Sequence, residues 1–208
     1  MQCLTTRLRN RTTSSLLSSR CRRTVGVAPV PPARSMSSAT AVDEPRAVFV
    51  YGSLMHPDVV KAIIGRVPRC SPAAVFGYAR RRVLEAAYPA CIRVAQDSPG
   101  AADPVRGLLY HDCSERERRL FDLFEEVDKE PPMYARVDVD AWPVGSESQQ
   151  VGGAAAVSAQ LYEWVRSEGC LSTGAEADWS FEAFCQPAVL GPYLVMCREF
   201  VDEATAQL

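Results

Sequence analysis

The sequence predicts an α+β domain built on a mixed or mainly antiparallel sheet that tends to curl toward a barrel, with helices on its flanks. Three observations lead there. Strand-like runs outnumber helical ones, several links between strands are short, and one mid-chain segment has the signature of a capped amphipathic helix. Short links argue against a doubly wound parallel sheet, whose strands need long crossovers.

Taken in order, Ala47 to Tyr51 (AVFVY) is an apolar, β-branched and aromatic run that reads as a buried strand, and Gly52 and Ser53 then turn the chain. Pro57 opens a short helix over PDVVKAII as its first helical residue, and Gly65 closes it. Further strand runs occupy Ala73 to Leu84, Tyr88 to Ala95 and Val105 to His111, separated by punctuation such as DSPGAADP. Ser114 followed by Glu117 has capping-box spacing. A helix is expected from there through ERERRLFDLFEEV, with Leu120, Leu123, Phe124 and Val127 as its apolar stripe. Tyr134 to Trp142 alternates with period two, and a Gly/Ser/Gln linker over 145–153 leads to another strand in AAAVSAQLYEWV. Phe181 to Ala206 is expected to be helical, with interruptions near Pro187 and Gly191-Pro192.

At 208 residues the chain is long enough for one well-buried core and too short for two large ones. Its charge is unevenly spread. Residues 1–42 carry Arg7, Arg9, Arg11, Arg20, Arg22, Arg23 and Arg34 among many Ser and Thr, and the first acidic residue is Asp43. This is the composition of a cleavable transit segment for a plastid or mitochondrion; a disordered basic tail is the alternative. Met36 is placed to start a shorter, cytosolic form. The domain is therefore expected over 43–208. Setting the seven arginines aside leaves 16 basic against 25 acidic residues, a formal charge of −9, which disfavours a nucleic-acid or anionic-membrane partner. No apolar run approaches the roughly 18 residues of a transmembrane helix, so the domain is expected to be soluble, and its oligomeric state is open.

The eight cysteines, at 3, 21, 70, 91, 113, 170, 185 and 197, include no CxxC pair, and His56 and His111 stand alone. Metal and Ser-His or Cys-His chemistry therefore start from weak ground, and no cofactor is expected. Two places remain for chemistry. A strand ending abruptly in Tyr51-Gly52-Ser53-Leu54 offers successive backbone N–H groups and a hydroxyl that can grip a carboxylate or carbonyl oxygen, although such a turn is often only a turn. Glu125, four residues beyond Phe121, sits on the edge of the helix stripe, where lost solvation raises a carboxyl pKa toward the range useful for proton transfer. Glu117 reads as a cap and Glu126 as a bland neighbour.

VFVYGSL near the domain start, then FDLFE on a helix, then Tyr134-Ala135-Arg136-Val137 on the next strand recur in that order in one family. With GRVP at Gly65 to Pro68, the Tyr88-Pro89 pair and ADWSFEAF around Trp179, the chain from about Ala47 to its C-terminal helix resembles the gamma-glutamylcyclotransferase-like superfamily, in its AIG2-like plant branch. The resemblance implies a small mixed β-barrel with flanking helices and a cofactor-independent, acyl-transferring enzyme acting on a small γ-glutamyl substrate. The α-amine of that substrate attacks its own γ-carbonyl, releasing 5-oxoproline and an amine. By position, the resemblance gives Tyr51, Gly52, Ser53, Leu54 and Met55 to the glutamyl part and the acid/base role to Glu125. It also puts Tyr134 and Arg136 near the pocket, as substrate contact or support. The chain departs from the usual pattern in the extra residues VDKEPPM between Glu125 and Tyr134, which bear on the leaving amine.

Two rival readings compete with the enzyme. A binding protein of the same fold would recognise a metabolite or partner without turnover. A thiol redox device would use the six domain cysteines, although their scatter among apolar residues fits buried structural thiols better.

Overall fold

The computed structural model describes residues 46–95, 97, 103–145, 155–174 and 178–205. Residues 1–42, with Met36, lie outside the described residues, as do most of the DSPGAADP stretch and of the 145–153 linker. The strands are β1 (Arg46–Val50), β2 (Cys70–Val75), β3 (Tyr78–Arg82), β4 (Pro89–Arg93), β5 (Val105–Cys113), β6 (Tyr134–Pro143) and β7 (Val157–Trp164). The helices are α1 (Pro57–Ile64), α2 (Glu115–Phe124), α3 (Phe181–Phe184) and α4 (Pro187–Thr205), with 3-10 turns at Ser53–Met55 and Glu168–Cys170.

Five strands close into a barrel in the order β1-β5-β2-β6-β7, and β3 and β4 form a separate antiparallel pair. The barrel ladders are antiparallel except the closing one, where β1 runs parallel to β7 through Ala47↔Ala159 and Val48↔Gln160. The run AVFVY is apolar at every position because β1 is covered on both faces. Phe49 and Tyr51 join Val75, Leu109 and Leu161 in one core, while Val48 and Val50 join Val59, Ile63, Leu120 and Phe121 in the other. Among the described residues, no helix is long and apolar enough to cross a membrane.

The helix signals act as their residue types predict. Pro57 occupies the first turn of α1, His56 Nδ1 accepts from the Asp58 N–H at 3.2 Å, and Gly65 ends the helix at φ 83°. In α2 the Ser114 hydroxyl accepts from the Glu117 N–H at 3.3 Å, and Glu117 Oε2 accepts from the Ser114 N–H at 2.8 Å.

Four expectations are corrected. The single run Ala73 to Leu84 is two strands in two sheets, because Gly77 at φ 76° turns the chain between β2 and β3. Helix α2 stops at Phe124 instead of running on to Val127. Its buried stripe is Leu120, Phe121 and Phe124 with Arg118 and Asp122, while Leu123 and Val127 are only half-buried. The break at Pro187 is real, but α4 passes through Gly191-Pro192 uninterrupted. Pro192 removes an N–H that would bond the Ala188 carbonyl in the exposed first turn, where water can serve that carbonyl.

Candidate functional site

Tyr51 leaves β1 buried, and its hydroxyl donates to the Tyr162 carbonyl at 2.6 Å. Burial first, then the neighbouring ionisable groups of Tyr134, Cys91 and Glu125, hold that hydroxyl well above the ordinary tyrosine range. The turn that follows has its carbonyls tied down one by one. The Tyr51 carbonyl accepts from Arg80 Nη1 at 3.1 Å, Gly52 from the Met55 N–H at 2.9 Å, Ser53 from the His56 N–H at 3.0 Å, and Leu54 from Tyr110 Oη at 2.7 Å. In a trans peptide the next residue's N–H points opposite the carbonyl. The N–H groups of Ser53 and Leu54 therefore face away from these anchors, at the start of a 3-10 turn with no side-chain cap. Met55 is half-buried, and its N–H is used within the turn.

Glycine is needed at position 52 for space. A Cβ there would lie 2.7 Å from both Cγ and Cδ of Pro89, the first residue of β4. Pro89 thus packs β4 against the turn, and Tyr134 fixes the same proline by donating its hydroxyl to the Pro89 carbonyl at 2.8 Å.

Glu125 is the C-terminal cap of α2 and is 9% exposed. The Val127 N–H reaches the Asp122 carbonyl at 3.0 Å and the Glu126 N–H reaches that of Leu123 at 3.3 Å, the paired bonds of a Schellman end. Glu126 takes the left-handed position of that motif at φ 55°, which glycine usually fills. It is as buried as Glu125 and forms an ion pair with Arg166 at 3.5 Å, so the bland neighbour is a structural residue. Glu125 lies close enough to Tyr51 and to Tyr162 to raise both phenols. The carboxyl at the helix end is thereby within electrostatic reach of the tyrosine that precedes the turn.

Arg136 on β6 forms an ion pair with Asp122 at 2.9 Å, and Tyr162 donates to the other oxygen of that carboxylate at 2.9 Å. Tyr134 is buried edge-on against Trp164, with ring centres 5.3 Å apart. The structure thus holds Tyr134 and Arg136 by protein partners around the site. The loop after Glu125 is stapled as well, since Arg166 donates to the carbonyls of Pro131 and Pro132, each at 3.3 Å.

Sequence reasoning passed over Arg80, Asp122, Tyr162 and Tyr193. Tyr193 on α4 donates to Ser53 Oγ at 2.9 Å, and Arg80 lies over the ring of Trp179 at 5.5 Å. A buried tyrosine needs a partner for its hydroxyl, which was the available hint at Tyr162 and Tyr193, but the partners are far away in sequence. Two buried thiols are unsuited to nucleophilic chemistry. Burial pushes Cys113 up to about 12 and Cys91 higher still, so neither forms a ready thiolate. A polar cleft of about 480 Å³ lined by Arg46, His111, Asp112, Asp138, Ser158 and Gln160 contains none of the predicted site residues.

Residues 48–181 match the family described as gamma-glutamyl cyclotransferase, AIG2-like. AIG2-like protein D of Arabidopsis thaliana is 29% identical over 157 residues, covering 76% of this chain and 90% of its own length. Protein AIG2 C of the same plant is 32% identical over 135 residues, covering 65% and 69%. Among solved structures, an Arabidopsis thaliana protein determined in solution is 22% identical with a TM-score of 0.48, over 78% of this chain and 85% of its own. A structure titled gamma-glutamyl cyclotransferase is 11% identical with a TM-score of 0.46, over 73% and 87%.

Proposed function

The chain belongs to the gamma-glutamyl cyclotransferase, AIG2-like family, and on that premise we propose that it converts a γ-glutamyl amine into 5-oxoproline and the free amine, with Glu125 as acid and base. The observation that carries the proposal is a buried carboxyl at the end of α2 within electrostatic reach of Tyr51, the residue that leads into the turn at Gly52–Met55. In the reaction the substrate's α-amine attacks the γ-carbonyl carbon as the free base, and the ring nitrogen of the tetrahedral adduct gives one proton to Glu125. The C–N bond to the leaving amine then breaks as Glu125 returns the proton to the departing nitrogen. Nucleophile and electrophile share one molecule, so holding them in a near-attack shape is the main task, worth roughly 7 to 11 kcal/mol at best. The N–H groups of Ser53 and Leu54 serve an oxygen of the substrate, either a carboxylate or the oxyanion that develops during attack.

The test is 5-oxoproline release by the full chain across a panel of γ-glutamyl amino acids, peptides and amines. Glu125→Gln is expected to lower turnover by about 10² to 10⁴ while leaving the thermal midpoint within a few degrees. Release by neither protein, with a ligand still raising the midpoint, would replace the enzyme by a binding protein. The basic segment 1–42 is proposed to direct the chain to an organelle. A fluorescent protein carrying only these residues should leave the cytosol, and cytosolic retention would reject that role.

A further inference from the structure

We infer that Tyr193 is a positioning residue of this site: it sets the Ser53 hydroxyl as a hydrogen-bond donor toward the substrate and ties the turn to the helix end that carries Glu125. The inference rests on the cyclotransferase reading above. Tyr193 lies on α4, beyond the residues 48–181 that match the family. It is 7% exposed, and its hydroxyl reaches 140 residues back along the chain to Ser53 Oγ, which is itself buried. The same ring stands edge-on to Phe124, the residue before Glu125, at 6.5 Å between ring centres, and to Phe184 at 5.1 Å. One side chain therefore braces both halves of the proposed machinery.

The direction of the hydrogen bond gives the brace a chemical consequence. A serine hydroxyl has one proton and two lone pairs. With Tyr193 donating to one lone pair, the Ser53 proton is left to seek an acceptor elsewhere. The carbonyls of Tyr51, Gly52, Ser53 and Leu54 are already engaged by Arg80, Met55, His56 and Tyr110. An oxygen of the glutamyl group is the acceptor that fits, beside the N–H groups of Ser53 and Leu54, and the three donors then act together. If Tyr193 loses its hydroxyl, nothing fixes the rotation of the Ser53 hydroxyl and the set loses a positioned member.

The experiment is a double-mutant cycle on the full chain with Tyr193→Phe, Ser53→Ala and the pair, reading kcat and KM with the best substrate of the panel. The Phe variant keeps the ring and its contacts, so its melting midpoint should stay close to the wild type. Its KM should rise about tenfold with a smaller change in kcat, as loss of a hydrogen bond to a charged or polar oxygen predicts. Ser53→Ala should cost a similar factor, and the pair should be no worse than Ser53→Ala alone. Unchanged kinetics in Tyr193→Phe, or losses that multiply in the pair, would overturn the inference while leaving the cyclotransferase reading intact. Should the wild type release no 5-oxoproline from any substrate, that reading fails by itself. The same cycle is then read calorimetrically with 5-oxoproline as the probe, where coupled losses support the role of Tyr193 and absence of binding by the wild type rejects it.

Discussion

Asp122 is drawn in two directions. Burial favours its neutral form and outweighs the Tyr162 hydrogen bond and the Arg136 charge, so its carboxyl sits above the ordinary aspartate range. The folded protein therefore holds this proton to higher pH than the unfolded chain does. Stability from this group is fully present below the unfolded pKa of about 3.9 and is lost as pH rises through the raised folded value. Asp122→Asn keeps an acceptor for Tyr162 and cannot ionise, so at this position the variant is a reference that does not vary with pH. Denaturant midpoints measured from about pH 4 upward should fall relative to the variant as pH rises; parallel curves would remove Asp122 as the source. Gly52 illustrates a different residue-scale constraint. Adding a Cβ 2.7 Å from a proline ring, which cannot swing away, forces β4 and the turn apart. Gly52→Ala should cost about 1 to 3 kcal/mol in chemical denaturation and lower 5-oxoproline release more than that loss explains.

At the scale of elements, α2 is defined at its start by local chemistry and at its end by the rest of the fold. The capping box was legible because Ser114 and Glu117 are three residues apart and each satisfies the other's backbone. The end was not, since no glycine marks it and Glu126 fills the left-handed position instead. The charge that faces Glu126 is distant in sequence: Arg166 follows β7, lies 3.5 Å from its carboxylate and donates to the carbonyls of Pro131 and Pro132. Removing the guanidinium strands a buried carboxylate in a strained backbone position. Arg166→Met should therefore destabilise the protein by about 2 kcal/mol. Adding Glu126→Gly removes both the stranded charge and the left-handed strain, the latter worth about 1 kcal/mol. The double variant should accordingly unfold at a higher denaturant concentration than Arg166→Met alone. If the second change lowers the midpoint further, Arg166 and Glu126 act independently.

Over the whole molecule, the existence of most strands was legible and their pairing was not. The runs at β1, β5 and β6 are apolar or alternate with period two, which any pleated, buried ribbon requires. Nothing local announces that β1 lies parallel to β7, more than a hundred residues away, yet that ladder closes the barrel. The proposed site has the same character: Tyr51 to Met55 and Glu125 stood out by motif, whereas Arg80, Asp122, Tyr162 and Tyr193 join them through contacts between residues far apart in sequence. Gly107 shows how tightly closure and site are linked. It sits in β5 opposite Ala73 of β2, and a Cβ there would lie 2.1 Å from the Val50 carbonyl oxygen and 2.9 Å from Cζ of Phe49. The oxygen belongs to the backbone of the paired strand, so relief requires β1 itself to move. Gly107→Ala should destabilise the protein by about 3 kcal/mol or more, and it should weaken activity even in molecules that remain folded, because Val50 leads directly into Tyr51. Equilibrium unfolding and 5-oxoproline release measured on the same preparation test both parts. A stable variant with full activity would mean that β1 can shift without disturbing the turn.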